Sequence, residues 1–177
     1  MTEKFFYSLQ KETDKNEYKT LLQIFGSLSK LFSDNTIPYL HYRISENIFC
    51  KAFKTINDSR KDNSIDAHIG KIGIGLKTFL HNHGNTYQKI AEFNAEADSL
   101  KNLPPLELCQ RLAHLRNKRL KSTQGIYELE TLIYHLITRE PESFNIYEEP
   151  MDTINVDKII NIVDSPKSIT FEDDKNE

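Results

Sequence analysis

The chain is short of cysteine, of long apolar runs and of positive charge. Its two cysteines among 177 residues do not demand a disulfide, so we expect a reducing, cytoplasmic location. No apolar run approaches the roughly 20 residues that span a bilayer, so we expect no membrane partner. The net charge of −3 argues against a passive nucleic-acid binder, a class that is usually basic. It argues less against a nuclease, whose acidic metal ligands offset a basic cleft.

The chain also lacks an internal repeat and a linker rich in proline, glycine or serine. Its length suits one domain of about 100–200 residues, and 38% hydrophobic residues argue against global disorder. We therefore predict a single domain over residues 1–177. The final SITFEDDKNE reads as a strand and a turn without a returning strand. We therefore expect a C-terminally truncated piece of a longer protein, whose missing portion is a candidate partner.

Apolar periodicity predicts an alternation of helices and strands. Helical spacing occurs at about residues 15–33, 38–54, 87–100 and 105–120. Strand-like patterns occupy Ser64–Ile69, Ile72–Leu80, Glu130–Thr138 and Ser143–Tyr147. Residues 157–163 fit either a short helix or a strand, and residues 168–171 fit the start of a strand. The order helix, helix, hairpin, helix, helix, hairpin predicts a mixed α/β fold.

The first predicted helix carries one apolar stripe. Its members recur at three- and four-residue steps and are Leu21, Leu22, Phe25, Leu28, Leu31 and Phe32. Packing against the protein's own core and packing in a dimer both account for this stripe. The apolar segment at residues 5–7 allows the same two interpretations.

The segment GKIGIGLKT at residues 70–78 is rich in glycine but is not a known phosphate loop. Leu76 separates Gly75 from Lys77, and the third glycine of a dinucleotide fingerprint is missing. Side chains two apart in a strand share a face, so Gly73, Gly75 and Lys77 point the same way. This pattern predicts open space for a ligand beside the lysine amine. The other face is predicted to be buried and carries Ile72, Ile74, Leu76 and Thr78.

Two acids stand out near this strand. Asp66 lies in a strand-like segment, where aspartate is disfavoured and therefore needs a reason. Asp66 and Lys77 fit either a structural ion pair or half of a hydrolytic metal site. Glu46 follows Arg43 by three residues, so an ordinary helix-surface ion pair is an alternative to a role in that site.

The run SIDAHIGKIGIGLKTF followed by QKIAEFNAE resembles the core of the PD-(D/E)XK nucleases, in particular type II restriction endonucleases. The resemblance covers roughly residues 38–100. It implies a restriction-endonuclease-like core with a central mixed sheet flanked by helices. In that superfamily an Asp at a strand start and an acid-X-Lys triplet on the adjacent strand bind Mg²⁺ and position a water.

The chain departs from this pattern at two positions. Ile65 replaces the proline before the aspartate, and Gly75 replaces the acid of the triplet. Some restriction enzymes replace that acid with a glutamate on the next helix, a place that Glu92 suits, with Glu96 as the second choice. A glutamate on the preceding helix often completes the site. The resemblance thus implies catalytic roles for Asp66, Lys77 and Glu92, and Mg²⁺ binding by Asp66, Glu92 and Glu46.

We therefore expect a magnesium-dependent endonuclease that hydrolyses phosphodiester bonds of double-stranded DNA. The resemblance implies a sequence-specific type II restriction enzyme, or a fragment of one, and such enzymes commonly act as homodimers. One alternative is a non-catalytic DNA- or RNA-binding domain. Another is a structural or interaction protein with an internal Asp–Lys pair.

Basic residues near the predicted hairpin and on the fourth predicted helix are candidate phosphate contacts. They are Arg60, Lys61, Arg111, Arg116, Lys118 and Arg119. A solvated helix face is the alternative for the last four. The histidines at 68, 81 and 83 share no recognisable zinc-ligand spacing with a cysteine or an acid, and a polar loop accounts for the last two better.

Overall fold

The chain folds into two compact units. The structure is a computed structural model and describes residues 6–32, 35–84, 86, 88–89 and 91–175. The first unit consists of the described residues up to Gln88 together with residues 123–151. The second unit consists of the described residues within 89–122 and of residues 152–175. The prediction that residues 1–177 act as a single domain remains a prediction. None of the described helices combines the length and the apolar character needed to cross a bilayer.

The first unit begins with two helices at the places where helical spacing predicted them. Helix α1 spans Glu12–Ser29 and helix α2 spans Tyr42–Phe53. The His41 ring accepts a hydrogen bond from the Arg43 amide at 3.2 Å and so caps the start of α2. Both helices are confirmed, although α2 starts four residues after the predicted position at Pro38.

A five-stranded sheet forms the centre of the first unit. Its strands are β1 (Ile56–Asn57), β2 (Ala67–Ile69), β3 (Ile72–Leu80), β4 (Thr131–Glu140) and β5 (Ser143–Pro150). Their spatial order follows the chain, and β3 and β4 are parallel whereas the other neighbours are antiparallel. The predicted pairing of the last two strands across residues 139–142 is confirmed. The chain therefore has the expected mixed α/β architecture, with a central mixed sheet flanked by helices.

The core of the first unit lies between this sheet and helices α1 and α2. Ile74 and Leu76 of β3 are 0% and 4% exposed and belong to one cluster with Phe49 and Phe53 of α2. This confirms the predicted apolar face of β3. The burial of such side chains is the main favourable term in folding, at about 1.5–3 kcal/mol each.

A buried polar chain crosses this core. The Tyr18 hydroxyl lies 2.9 Å from Nε2 of His135, and Nδ1 of His135 lies 2.9 Å from the Glu148 carboxylate. The other oxygen of Glu148 accepts the Tyr7 amide at 2.8 Å. A carboxylate only accepts, so Nδ1 donates to it and Nε2 accepts from the tyrosine. These hydrogen bonds give partners to the buried Tyr18 hydroxyl, the His135 ring and the Glu148 carboxylate.

Only the first two members of the stripe predicted on α1, Leu21 and Leu22, pack in the core. The buried residues of the helix are Tyr18, Leu22 and Gly26. Gly26 is required there, because a Cβ atom would stand 2.7 Å from the Phe144 ring. The residues of the stripe beyond Leu22 are exposed, to 89% in the case of Phe32.

The second unit contains a one-turn helix, most of a long helix and a strand hairpin. Helix α3 spans Ala97–Leu100, and helix α4 spans Pro105–Tyr127, whose residues from Thr123 onward belong to the first unit. Strands β6 (Ile160–Ser165) and β7 (Ser168–Glu172) form an antiparallel hairpin. The sequence allowed either a short helix or a strand at residues 157–163, and this pairing shows that the segment from Ile160 onward is a strand. It also corrects the expectation that the last strand has no partner.

The predicted helix at residues 87–100 is largely wrong. Residues 91–93 have no regular structure, and a 3₁₀ turn at Asn94–Glu96 precedes the single turn of α3. Residues 87 and 90 lie outside the described residues. The segment has helix-forming residues, but residues 91–100 include no buried residue, and helices in proteins are stabilised mainly by a buried face.

Removal of the Tyr18 hydroxyl should destabilise the protein. Tyr18→Phe leaves Nε2 of His135 without its hydrogen bond in a fully buried place, so we expect a loss of about 1–3 kcal/mol in the free energy of unfolding. Urea denaturation followed by circular dichroism measures this change. Tyr147→Phe is the control, because that side chain is 44% exposed and should change stability little. Equal effects of the two substitutions would contradict this account of the buried chain.

Candidate metal and phosphate site

Asp66 lies immediately before β2 and is tied to β3 through its backbone and its side chain. Its amide donates to the Ile74 carbonyl at 2.8 Å, and its Oδ2 accepts the Leu76 amide at 2.7 Å. The side chain is 21% exposed. An aspartate in this place is therefore held in one orientation with one edge open to solvent.

Lys77 reaches the same place from β3. Ala67 pairs with Ile74, so Asp66 lies opposite Gly75 and shares a face of the sheet with Lys77, two residues further along. Nζ of Lys77 lies 4.0 Å from Oδ2 of Asp66, and its side chain is 28% exposed. The predicted convergence of these two side chains is thus present in the structure.

Glu46 approaches the pair from helix α2. Its side chain is only 6% exposed and lies 3.1 Å from Nη1 of Arg43. That guanidinium also donates to the carbonyl and the hydroxyl of Ser59, both at 2.7 Å. The ion pair proposed for Glu46 and Arg43 exists, but a buried carboxylate makes it more than a helix-surface pair.

The two carboxylates influence each other. Burial raises the pKa of Glu46, and the negative charge of Asp66 raises it further, against the opposing effects of Ser59, Arg43 and Lys77. Burial also raises the pKa of Asp66, although Lys77, the Leu76 amide and Arg43 act in the opposite direction. Burial is therefore the largest cause of both shifts, and the two carboxylates balance the cations Arg43 and Lys77 in formal charge. A bound cation would offset the cost of burying the two carboxylates.

The glycine face of β3 is not the open surface that the sequence predicted. A Cβ atom on Gly73 would stand 2.7 Å from side-chain atoms of Leu129 and Leu132, and one on Gly75 would stand 2.7 Å from Met151. Close packing of apolar side chains therefore occupies this face. The absence of a side chain at Gly73 and Gly75 lets these neighbours approach the strand, and the space beside the two glycines is not a ligand pocket.

Glu92 and Glu96 belong to the second unit, and their described partners do too. Glu92 forms an ion pair with Lys89 and accepts a hydrogen bond from Asn94 at 3.1 Å. Glu96 lies 3.6 Å from Arg111. Neither residue lies on an α-helix, so the helical placement that suggested Glu92 is wrong. Its assignment as a catalytic and metal-binding acid stays a prediction.

The candidate phosphate contacts are divided between the two units. Arg60 and Lys61 lie in the first unit, close in sequence to Asp66, and Lys61 binds the Asp58 carboxylate at 2.7 Å while 56% of its side chain is exposed. The four basic residues of α4 lie in the second unit. Among them, Arg116 donates to the Asp152 carbonyl. The role of all six in DNA binding stays a prediction.

Asp58 was missed by the sequence analysis. Its side chain is fully buried and binds both Lys61 and Nδ1 of His68, and its amide donates to the Asp66 carbonyl at 2.9 Å. Asp58 therefore braces the strand end that carries Asp66. No sequence signal marked it, because it lies in the polar run NDSRKDN, which reads as a loop.

The histidines do not assemble a zinc site. His68 pairs with Asp58, and His81 lies 3.2 Å from the Thr138 hydroxyl and 3.5 Å from Glu140. Within the described ranges, no group of three or more His, Cys, Asp or Glu side chains is arranged to hold a metal ion.

The comparisons with known proteins do not supply a family. No protein-family model, curated protein or solved structure matches the chain. The function must therefore be argued from the geometry of Asp66, Lys77 and Glu46.

The raised pKa of Asp66 predicts how its replacement changes stability with pH. An acid whose pKa is raised by folding binds protons more tightly in the folded state, so stability falls as pH rises from its usual pKa to the raised one. Asp66→Asn removes that titration. We therefore expect the free energy of unfolding of Asp66→Asn, relative to that of wild type, to be higher at neutral than at mildly acidic pH.

Thermal unfolding at the two pH values measures this difference. Asp98→Asn is the control, because the Asp98 side chain is 94% exposed and the substitution should change stability little. A relative stability of Asp66→Asn that is the same at both pH values would contradict the proposed cost of burying its charge.

Proposed function

We propose that the chain is a magnesium-dependent endonuclease that hydrolyses phosphodiester bonds of double-stranded DNA, of the type II restriction kind. The observation that carries the proposal is the 4.0 Å approach of Lys77 to Asp66, with the buried Glu46 beside them. The central mixed sheet flanked by helices is compatible with a restriction-endonuclease-like core. It does not by itself distinguish that core from other mixed α/β folds.

The donor chemistry of the site fits a magnesium ion. Mg²⁺ prefers oxygen ligands and is commonly bound by one or two carboxylates, with waters and substrate phosphate oxygens as the other ligands. Asp66 and Glu46 provide two carboxylates, and burial is the largest cause of their raised pKa values. When bound, the cation would polarise the phosphodiester and acidify a water.

The protein's own groups have distinct roles in this proposal. Asp66 is the central ligand, and its bond to the Leu76 amide orients the carboxylate toward the open edge. The ammonium of Lys77 stabilises the negative charge that develops on the phosphate oxygens. Arg43 and Ser59 hold Glu46 in place as a second ligand.

Asp66→Asn and Lys77→Met should each abolish or strongly reduce DNA cleavage. We expect a loss of at least about 100-fold, which is the usual effect of removing one group that stabilises charge in the transition state. The measurement is the fragmentation of plasmid DNA with and without magnesium. Lys71→Met is the matched control, because Lys71 lies at the turn between β2 and β3 and pairs with the exposed Glu130.

The same assay distinguishes the alternatives. Magnesium-dependent fragments with wild type and the Lys71 variant, and none with the Asp66 and Lys77 variants, support the proposal. Mobility shifts without fragments would replace it with a non-catalytic nucleic-acid-binding domain. The absence of both mobility shifts and fragments would favour a structural or interaction protein with an internal Asp–Lys pair. Full activity of both the Asp66 and the Lys77 variants would overturn the site.

Magnesium should stabilise the folded protein through the same carboxylates. A ligand that binds only the folded state raises the free energy of unfolding, so we expect Mg²⁺ to raise the Tm of wild type. The increase should be lost in Asp66→Asn and reduced in Glu46→Gln. Differential scanning calorimetry without DNA measures it.

The calorimetric series also tests the acid from the second unit. Glu92→Gln should reduce the magnesium-dependent increase if Glu92 is a ligand, and Glu96→Gln serves as the matched comparison from the same segment. An unchanged increase in both variants would remove the two residues from the metal site and leave Asp66 and Glu46 as its protein ligands.

A further inference from the structure

Helix α1 and the turn that follows it expose a row of large apolar side chains. The row, called the α1 row below, comprises Ile24, Phe25, Leu28, Leu31 and Phe32, with exposed fractions of 47%, 37%, 45%, 76% and 89%. Hydrogen bonds from residues 30, 31 and 32 to the carbonyls three residues earlier continue the helical turn past Ser29. The row therefore stays on one side of the helix.

The spacing of the α1 row is that of a helix–helix contact. Its members recur at steps of three and four residues, and they flank a different stripe, Tyr18, Leu22 and Gly26, that already faces the core. One side of α1 is therefore buried in its own unit, while a second apolar side remains for another surface.

The spacing of the α1 row lets two copies of the helix pack against each other in opposite directions. In a two-fold contact the same patch lies on both subunits, and an axis perpendicular to a helix makes the two helices antiparallel. Reversal of the chain direction about Leu28 exchanges Ile24 with Phe32 and Phe25 with Leu31, and returns Leu28 to itself. With the axis at Leu28, each apolar residue of the row therefore lies opposite an apolar residue of the second copy.

Charge also favours the antiparallel arrangement. The segment Thr20–Ser29 contains no charged residue, whereas the charged residues of α1 lie before it. These are Glu12, Asp14, Lys15, Glu17 and Lys19. A parallel pair of helices would place each of these charges beside its own copy, which is unfavourable. An antiparallel crossing at Leu28 keeps the two charged halves apart.

The exposed area matches the requirement of a stable dimer. At roughly 200 Å² for each large apolar side chain, the α1 row exposes about 600 Å², the upper end of what a monomer usually shows. Tyr39 and Leu80, 57% and 44% exposed, line one hollow of about 270 Å³ with Phe32 and extend the patch. The total approaches about 800 Å², the share of one partner in a standard interface.

We propose that the chain forms a homodimer in which the α1 rows of two copies pack antiparallel about a two-fold axis at Leu28. The contact buries the apolar residues that the single copy leaves in solvent. It is independent of the proposed nuclease function, because the Asp66 and Lys77 side chains are not part of the α1 row.

Sedimentation equilibrium of the purified chain tests the dimer. Wild type should be dimeric at micromolar concentration, and Leu28→Glu should be monomeric because it places two carboxylates at the axis. Leu31→Glu should act in the same way at a position that is 76% exposed, where misfolding is not expected. Ile126→Glu is the matched control, since Ile126 is a 71% exposed apolar residue outside the row.

A single cysteine locates the axis. Leu28→Cys should give a disulfide-linked dimer under mild oxidation, whereas Ile126→Cys should not. A monomeric wild type, a dimer that survives both glutamate substitutions in the row, or equal cross-linking at the two positions would overturn the proposal. Loss of the dimer in Ile126→Glu as well would overturn it too. None of these results depends on whether the protein cleaves DNA.

Discussion

The hydrogen bond from the Leu76 amide to the Asp66 carboxylate is the constraint on which the candidate site depends. Together with the bond between the Asp66 amide and Ile74, it fixes the register of the β2 end against β3. Side chains alternate between the two faces of a strand, so a shift of one residue would move Lys77 to the face of the buried isoleucines. The acid is therefore a structural element of the sheet as well as a proposed ligand.

The cost of burying two carboxylates dominates the electrostatics of the site. Burial is the largest cause of the raised pKa of Glu46 and of Asp66, and Arg43 and Lys77 act against it at both residues. Two acids and two cations balance in formal charge, so the raised pKa values reflect burial rather than an excess of negative charge. Acids whose pKa is raised by burial beside a charged partner are concentrated at functional sites.

The sequence predicted the parts of this arrangement that follow a strong period. The alternation in IGIGLKT placed Lys77 and the buried isoleucines of β3 correctly, because a period of two leaves little choice of face. The same alternation did not reveal what covers Gly73 and Gly75, since a glycine next to a ligand and a glycine beneath Leu129 or Met151 look alike in one dimension.

Other errors have similar physical origins. The α1 stripe was recognised, but periodicity does not tell whether an apolar side faces the protein's own core or another surface. Asp58 was missed because its burial depends on His68 and Lys61, which reach it only in the folded sheet. The helix predicted at residues 87–100 failed because favourable composition did not supply a buried face.

The order of the five strands has a consequence for how molecules meet at high concentration. β5 is last in that order among the described strands, and an edge strand invites the addition of further strands and hence aggregation. Here the edge ends in Pro150 and carries Glu148, whose charge turns inward to His135. Proline and inward charges obstruct strand addition, so this margin of the sheet is protected against fibre-like growth.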